Sequence, residues 1–363
     1  MSKLAGVRIV EFEGLGPGPF CGMLLADLGA DVTMIGRQGG SAGALFNRGK
    51  KSIVLDLKNP AHVAAAVKIG ADADAVIEGL RPGVMERLGL GPDVLMAANP
   101  KLVYGRITGW GQDGPWAHLA GHDVNYASLA GANWYSGQAG AVPVPPPTLV
   151  GDVGGGALYL ALGILAGVLD ARATGKGAVV DAAIVDGAAH LTSLLLSLRG
   201  AGGMPEARGG SMLDGAPFYD VYQCADDGYM SVGALEPKFY FELLQKLDLA
   251  GEPDFKEQYD QSKWPACRAR LKQIFASKPR AHWEDVFTNS DACVGPVLAP
   301  SEAAAHPHIA ARSIYRDVDG VLHAAAAPRF DGETPADPRP SPIADADADE
   351  ILARVGLSKA DLD

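Results

Sequence analysis

Short apolar runs alternate with longer amphipathic stretches through the first third of the chain. Val7–Phe12, Val32–Ile35, Ser52–Leu55, Ala75–Glu78 and Leu102–Ile107 are rich in Val, Ile and Leu, and read as strands. Cys21–Gly29, Ala61–Gly70 and Gly83–Leu88 read as helices between them, with a turn at Gly89–Pro92. That alternation predicts a doubly wound, Rossmann-like α/β domain. A Pro-rich connector, Ala141–Pro147, leads to the apolar run Gly154–Leu169, then to strand Ala178–Ala182 and helix Ile184–Leu198.

The character changes after Arg199. Gly200–Ala216 is a loop dense in glycine. Tyr219–Cys224 and Tyr229–Gly233 flank Ala225-Asp226-Asp227-Gly228, a hairpin signature. Helices at Lys238–Leu247, at Ala266–Ser277 and from Arg280 precede strand Cys293–Leu298. The expected organisation is a large α/β domain over 1–199, completed by 326–363, a linker at 200–214, and a smaller α+β domain at 215–325. The tail beyond Phe330 is loaded with Pro, Asp and Ala and reads as extended, ending in a short helix at Asp349–Val355.

The run Gly154–Leu169 is sixteen uncharged residues, short of the roughly twenty that span a bilayer. A buried helix, with no membrane insertion, is the expectation. Apolar content of 48% and charged content of 20% suit a globular enzyme, and a net charge of −12 argues against nucleic acid as a partner. Cys21, Cys224, Cys267 and Cys293 are widely spaced with no CxxC pair, so free thiols and no metal site are expected. Neither a secretory signal at Met1–Gly6 nor a peroxisomal address at Ala360–Asp363 is visible, so a cytoplasmic location is expected.

Charge is unevenly distributed. Residues 1–110 carry twelve Lys/Arg against ten Asp/Glu, while the remainder carries nineteen against thirty-three. Arg37, Lys58 and Arg81 each stand just past a predicted strand, on the carboxyl edge where open parallel sheets bind ligands. Long cations solvating loop ends would be the plain alternative, but their concentration in the one mildly basic part points to a phosphorylated ligand. Gly14, Gly16 and Gly18 suggest a dinucleotide turn, yet the spacing is GxGxG, and Gly36-Arg37 stand where an acid should end the second strand.

Three residues are candidates for chemistry. His122-Asp123 precedes the apolar Val124–Leu129, where Asp123 could serve only a helix's first turn and His122 could be purely structural. Asp152 could cap a helix, but a cap does not need Gly154-Gly155-Gly156, which imply close approach of a ligand or another chain segment. A carboxyl among apolar neighbours would also have its pKa raised. Glu236 precedes Pro237 and is equally plausible as a cap.

The chain resembles the α-methylacyl-CoA racemases of the family III CoA transferase superfamily. The match is carried by Gly14-Leu15-Gly16-Pro17-Gly18-Pro19, Asp27–Val32, Leu55-Asp56-Leu57-Lys58 and Arg81-Pro82-Gly83-Val84. It continues through Arg87–Pro92, Thr108-Gly109-Trp110-Gly111-Gln112, Gly121–Tyr126, Gly151-Asp152, Val180–Ala183, Leu213–Pro217, Gly233–Pro237 and Asn289–Pro296, so that residues 4–330 are covered. The resemblance implies that His122, paired with Glu236, and Asp152 are the catalytic acid/base groups. It implies coenzyme A contacts from Arg37, Leu55, Asp56, Leu57 and Lys58, from Gly79, Leu80, Arg81 and Arg87, and from Gly121, Asp123, Val124, Asn125 and Tyr126. It further implies an interlocked homodimer, with each site shared between the large domain of one subunit and the small domain of the other. The implied substrate is a 2-methylacyl-CoA, with CoA as part of the substrate and no separate cofactor.

Such a set supports inversion beside a thioester carbonyl, one group removing the α-proton and the other returning a proton to the opposite face. Backbone amides near His122–Asp123 would serve the enolate oxygen, and Met204 and Met212 an apolar acyl chain. A CoA transferase would instead use Asp152 as nucleophile under a glycine-rich loop, but Gly200–Gly215 is interrupted by Met204, Pro205, Glu206 and Arg208. A non-catalytic CoA-binding protein would have no use for His122, Asp152 and Glu236 together.

Overall fold

The computed structural model describes residues 2–40 and 43–363. Six strands form one parallel sheet: β1 (Arg8–Phe12), β2 (Asp31–Gly36), β3 (Lys51–Val54), β4 (Ala75–Glu78), β5 (Val103–Thr108) and β6 (Val179–Ala183). Their order is β3-β2-β1-β4-β5-β6, so connectivity reverses direction between β1 and β4. Crevices at such a reversal, outside the strands' carboxyl ends, are where doubly wound sheets bind ligands. The inner strand runs read from the sequence are present because they bury apolar side chains on both faces, whereas at the edge strand β6 only Ala182 and Ala183 are buried. Ile9, Val32, Ile53, Ala75, Val76, Ile77 and Val103 are all 1% exposed or less.

Two compact units divide the chain. One comprises Met1–Ala132, Pro146–Leu191 and Pro307–Asp363; the other comprises Asn133–Pro145 and Thr192–His306. The expected boundaries placed 307–325 with the smaller domain. Here the hairpin β10 (Tyr315–Val318) and β11 (Val321–Ala324), numbered after the smaller unit's three strands, belongs to the first unit. Buried Arg48 donates to both carboxylate oxygens of Asp27, and its guanidinium lies 3.4 Å from His323 Nδ1 on that hairpin. The second unit contains an antiparallel sheet, β7 (Tyr219–Gln223), β8 (Tyr229–Gly233) and β9 (Val294–Val297), backed by helices Pro237–Lys246, Trp264–Phe275 and Arg280–Phe287. Phe218, Tyr222, Phe275, Trp264 and Trp283 are among its core residues.

Three local expectations are corrected. Gly89–Pro92 is followed by an unanticipated helix, Pro92–Ala98, started by proline at its first position and anchored by buried Leu95. The helix expected over Ile184–Leu198 is two helices, Ile184–Leu191 and Ser193–Gly200, which fall in different units. The apolar helix expected to be buried starts as a π-helical turn, Leu149–Ala157, and continues as an α-helix over Leu158–Thr174. It packs on β5 and β6 through Leu160, Ala161, Ile164 and Val168, while Leu158, Leu162 and Leu169 on the other side are 46%, 64% and 71% exposed. By length and composition alone this run, Leu149–Thr174, could cross a membrane, yet one of its faces is committed to the sheet.

A buried ion pair ties β1 to the segment before β3. Lys50 Nζ lies 2.8 Å from both carboxylate oxygens of Glu11, and donates also to the Pro19 carbonyl at 3.1 Å and Asn47 Oδ1 at 3.0 Å. Burial raises the pKa of Glu11 and lowers that of Lys50, each partner opposing the shift of the other.

Candidate active site

Asp152 sits in the π-helical turn, and buried Asp123 holds that turn in place. A single oxygen of Asp123, Oδ1, accepts the N–H of Gly151 at 2.7 Å and the N–H of Asp152 at 2.8 Å. The first-turn acid of helix Asp123–Leu129 is therefore spent on another segment's amides, an arrangement with no signal in local sequence spacing. The triple glycine has the second of its two expected meanings. A Cβ on Gly155 would lie 2.5 Å from the Ala188 backbone nitrogen, so the turn is pressed against helix Ile184–Leu191.

The glycine turn after β1 acquires a purpose in the same way. Gly16 has φ +67° at the start of helix Pro17–Asp27, and a Cβ there would be 3.6 Å from Asp152 Oδ2. Only glycine takes that backbone conformation without strain, and it leaves the carboxyl of Asp152 over the turn. Burial raises the pKa of Asp152, the charge of Asp123 raises it further, and His122 opposes. These couplings put His122 within electrostatic reach of Asp152. His122 itself is exposed, in extended conformation at the head of helix Asp123–Leu129, where its N–H donates to Asn125 Oδ1 at 3.1 Å.

Tyr126 joins this cluster to the basic edge. Its hydroxyl donates to the Gly121 carbonyl, and its ring meets the Trp110 ring edge-on at 4.7 Å. Burial pushes the phenol pKa up, Asp152 adds to this and Arg81 counters it, so both charges act on this one side chain. The Gly79–Arg81 loop is fixed from beneath. Glu78 accepts the Leu80 N–H at 2.8 Å and Arg106 Nε at 2.8 Å, while the remaining guanidinium nitrogens reach Glu86 at 2.7 and 3.2 Å. Burial raises the pKa of Glu78, and these bonds oppose it.

A cavity of about 1010 Å³ opens at the carboxyl ends of β1, β2 and β3. Its wall includes Arg37, Leu55–Lys58 and Leu80, so most of the basic edge converges there. Arg37 is placed by Glu13, whose Oε2 accepts its N–H at 3.0 Å. Asp56 Oδ1 shapes the next turn by accepting the Lys58 N–H at 3.0 Å. Gly79, Arg81 and Arg87 are not in this wall, and both arginines are exposed. Val124 and Asn125 line a separate groove of about 570 Å³ with Trp110 and Trp116, whereas Gly121 is not part of that lining. Glu236 lies in the second unit, exposed, at the head of helix Pro237–Lys246 as its cap position suggested. Sequence reasoning overlooked the Asp123 clamp, the Glu78–Arg106 support and the contribution of residues 344–363 to the cavity wall.

A doubly wound parallel sheet thus carries Arg37 and Lys58 in a cavity at its strand ends, and the same unit holds Asp152 on the Asp123 clamp within electrostatic reach of His122. The chain matches CoA-transferase family III over residues 4–348 and belongs to that family. It is 42% identical over 341 residues to "Alpha-methylacyl-CoA racemase" of Mus musculus, spanning 94% of this chain and 86% of the relative. It is 40% identical over 371 residues to the protein of the same name from Homo sapiens, spanning 99% and 95%. Among solved structures, a CAIB/BAIF family protein from Brucella suis matches with a TM-score of 0.84 over 97% of this chain and 99% of that one; at 24% identity this likeness speaks to the fold alone.

Proposed function

We propose that this enzyme of the racemase class interconverts (2R)- and (2S)-2-methylacyl-CoA thioesters by moving the α-proton through an enolate. His122 and Asp152 are the two acid/base groups. The observation that supports this most is the Asp152 carboxyl, held over the Gly16 turn by the Asp123 clamp and raised by burial and by Asp123, on the same unit as His122. A raised carboxyl keeps its protonated form available closer to neutrality, so that it can donate as well as accept a proton. The thioester carbonyl acidifies the α-proton, and CoA is carried by the substrate. Arg37 and Lys58 hold its phosphates, as charge-assisted contacts from the cavity wall. Glu236 orients the imidazole, a role that rests on the resemblance, and the working form is a homodimer.

The test is incubation of a single 2-methylacyl-CoA enantiomer in heavy water, followed by NMR at the α-carbon. Deuterium entry with loss of stereochemical purity is the expected result, and His122→Ala and Asp152→Ala should each slow interconversion greatly. Transfer of CoA to an added carboxylic acid, with no α-exchange, would replace this reading with that of a transferase.

A further inference from the structure

Residues 344–363, the extended tail of the sequence reading, form part of the nucleotide cavity. Ala344, Asp345, Ala348, Lys359 and Leu362 contribute to the same wall as Arg37 and Lys58. The segment is built into the fold. Val54 N–H donates to Asp345 Oδ1 at 3.0 Å and Ser52 N–H to Asp347 Oδ2 at 2.9 Å, so side chains of the tail cover the edge of β3. Ala348, Ile351 and Leu352 of helix Ala348–Arg354 are 1% exposed or less.

We propose that Lys359 is a third cation for the nucleotide end of the CoA thioester, beside Arg37 and Lys58. This rests on the acyl-CoA reading above and extends it to a residue beyond the family-matched stretch. The acids in the cavity leave room for such a role. Glu13, Asp56 and Asp345 each accept a backbone N–H of the cavity wall, at 3.0 Å in every case, leaving Asp363 as the fourth carboxylate there. Lys359 Nζ stands 3.4 Å from Asp345 and 3.8 Å from Asp349, with its side chain 54% exposed. A loosely paired, exposed ammonium can turn to a phosphate at little cost, since exposed ion pairs contribute little.

The test compares Lys359→Ala and Lys359→Glu with wild type, measuring CoA binding by calorimetry and turnover of 2-methylacyl-CoA against the 2-methylacyl-pantetheine thioester, which lacks the nucleotide. Lys359→Ala should weaken CoA binding about three- to tenfold and Lys359→Glu more. Both should turn over the pantetheine thioester as wild type does, and the CoA difference should shrink in high salt. Unchanged CoA binding in both variants, or an equal loss with the pantetheine thioester, would overturn the proposal. A wild-type protein that binds no CoA would overturn the acyl-CoA reading along with it, which keeps the two failures distinct.

Discussion

Removing the Asp123 carboxylate should cost stability and retune Asp152, and two substitutions separate these effects. Asp123 Oδ1 accepts two amides, at 2.7 and 2.8 Å, in a residue only 5% exposed. A hydrogen bond to a charged group contributes about 1.5–3 kcal/mol, and two that share one oxygen fall toward the low end, so Asp123→Ala should cost about 3 kcal/mol. That corresponds to a fall in melting temperature of roughly 4–6 °C for a chain of this size. Asp123→Asn can keep its carbonyl oxygen in the same place, retain both amide bonds and lose only the charge, at about 1 kcal/mol. Because Asp123 is one cause of the raised Asp152 pKa, the asparagine variant should lower that pKa while burial keeps it above the ordinary carboxyl value. Every limb of the pH–kcat/KM profile that reports Asp152 should then move to lower pH, measured by α-proton exchange across the pH range. Unfolding of Asp123→Ala at the wild-type temperature would refute the clamp. A shift of the Asp123→Asn profile to higher pH would refute the electrostatic coupling.

Arg106→Ala leaves Glu78, 1% exposed, without its guanidinium and should destabilise by about 3–5 kcal/mol in chemical denaturation; because Glu78 also holds the Leu80 N–H, KM for acyl-CoA should rise more than kcat falls. Lys50→Met strands Glu11 and should be worse than the double change Glu11→Leu/Lys50→Met, which removes both buried charges; equal midpoints would contradict the pairing. For Asp152 the folded pKa lies above the unfolded one, so the folded state binds more protons between the two, and stability falls as pH rises from roughly 4 through that window. Asp152→Asn escapes this loss, and its melting temperature relative to wild type should climb over the same interval.

The strands were legible because residues such as Ile53, Val76, Ile77 and Val103 are buried on both sides of one parallel sheet, which needs uninterrupted apolar runs. The break at Thr192 was not, since the apolar pattern continues from Ile184 to Leu198 across a change of unit. Burial of the helix Leu158–Thr174 was overread for a related reason. Its composition is apolar all round, so periodicity could not announce which side meets the sheet. His122 and Asp152 stood out by residue type and glycine context, but the element that couples them did not. Asp123 reads locally as a helix cap, and its actual partners, Gly151 and Asp152, are twenty-eight and twenty-nine positions away. The tail's completion of the large domain and its short terminal helix were legible, but its part in the cavity wall was not, because Pro, Asp and Ala suggest solvent, whereas Asp345 and Asp347 bond the edge strand and Ile351 and Leu352 enter the core.

The two-base assignment is tested most directly by following each pure 2-methylacyl-CoA enantiomer separately in heavy water with the His122→Ala and Asp152→Asn variants. Each variant should still exchange the α-proton of the one enantiomer whose proton faces its remaining base, the two variants choosing opposite enantiomers, and neither should racemise at the wild-type rate. Equal exchange of both enantiomers by either variant would mean that a single base serves both faces, and would contradict the account.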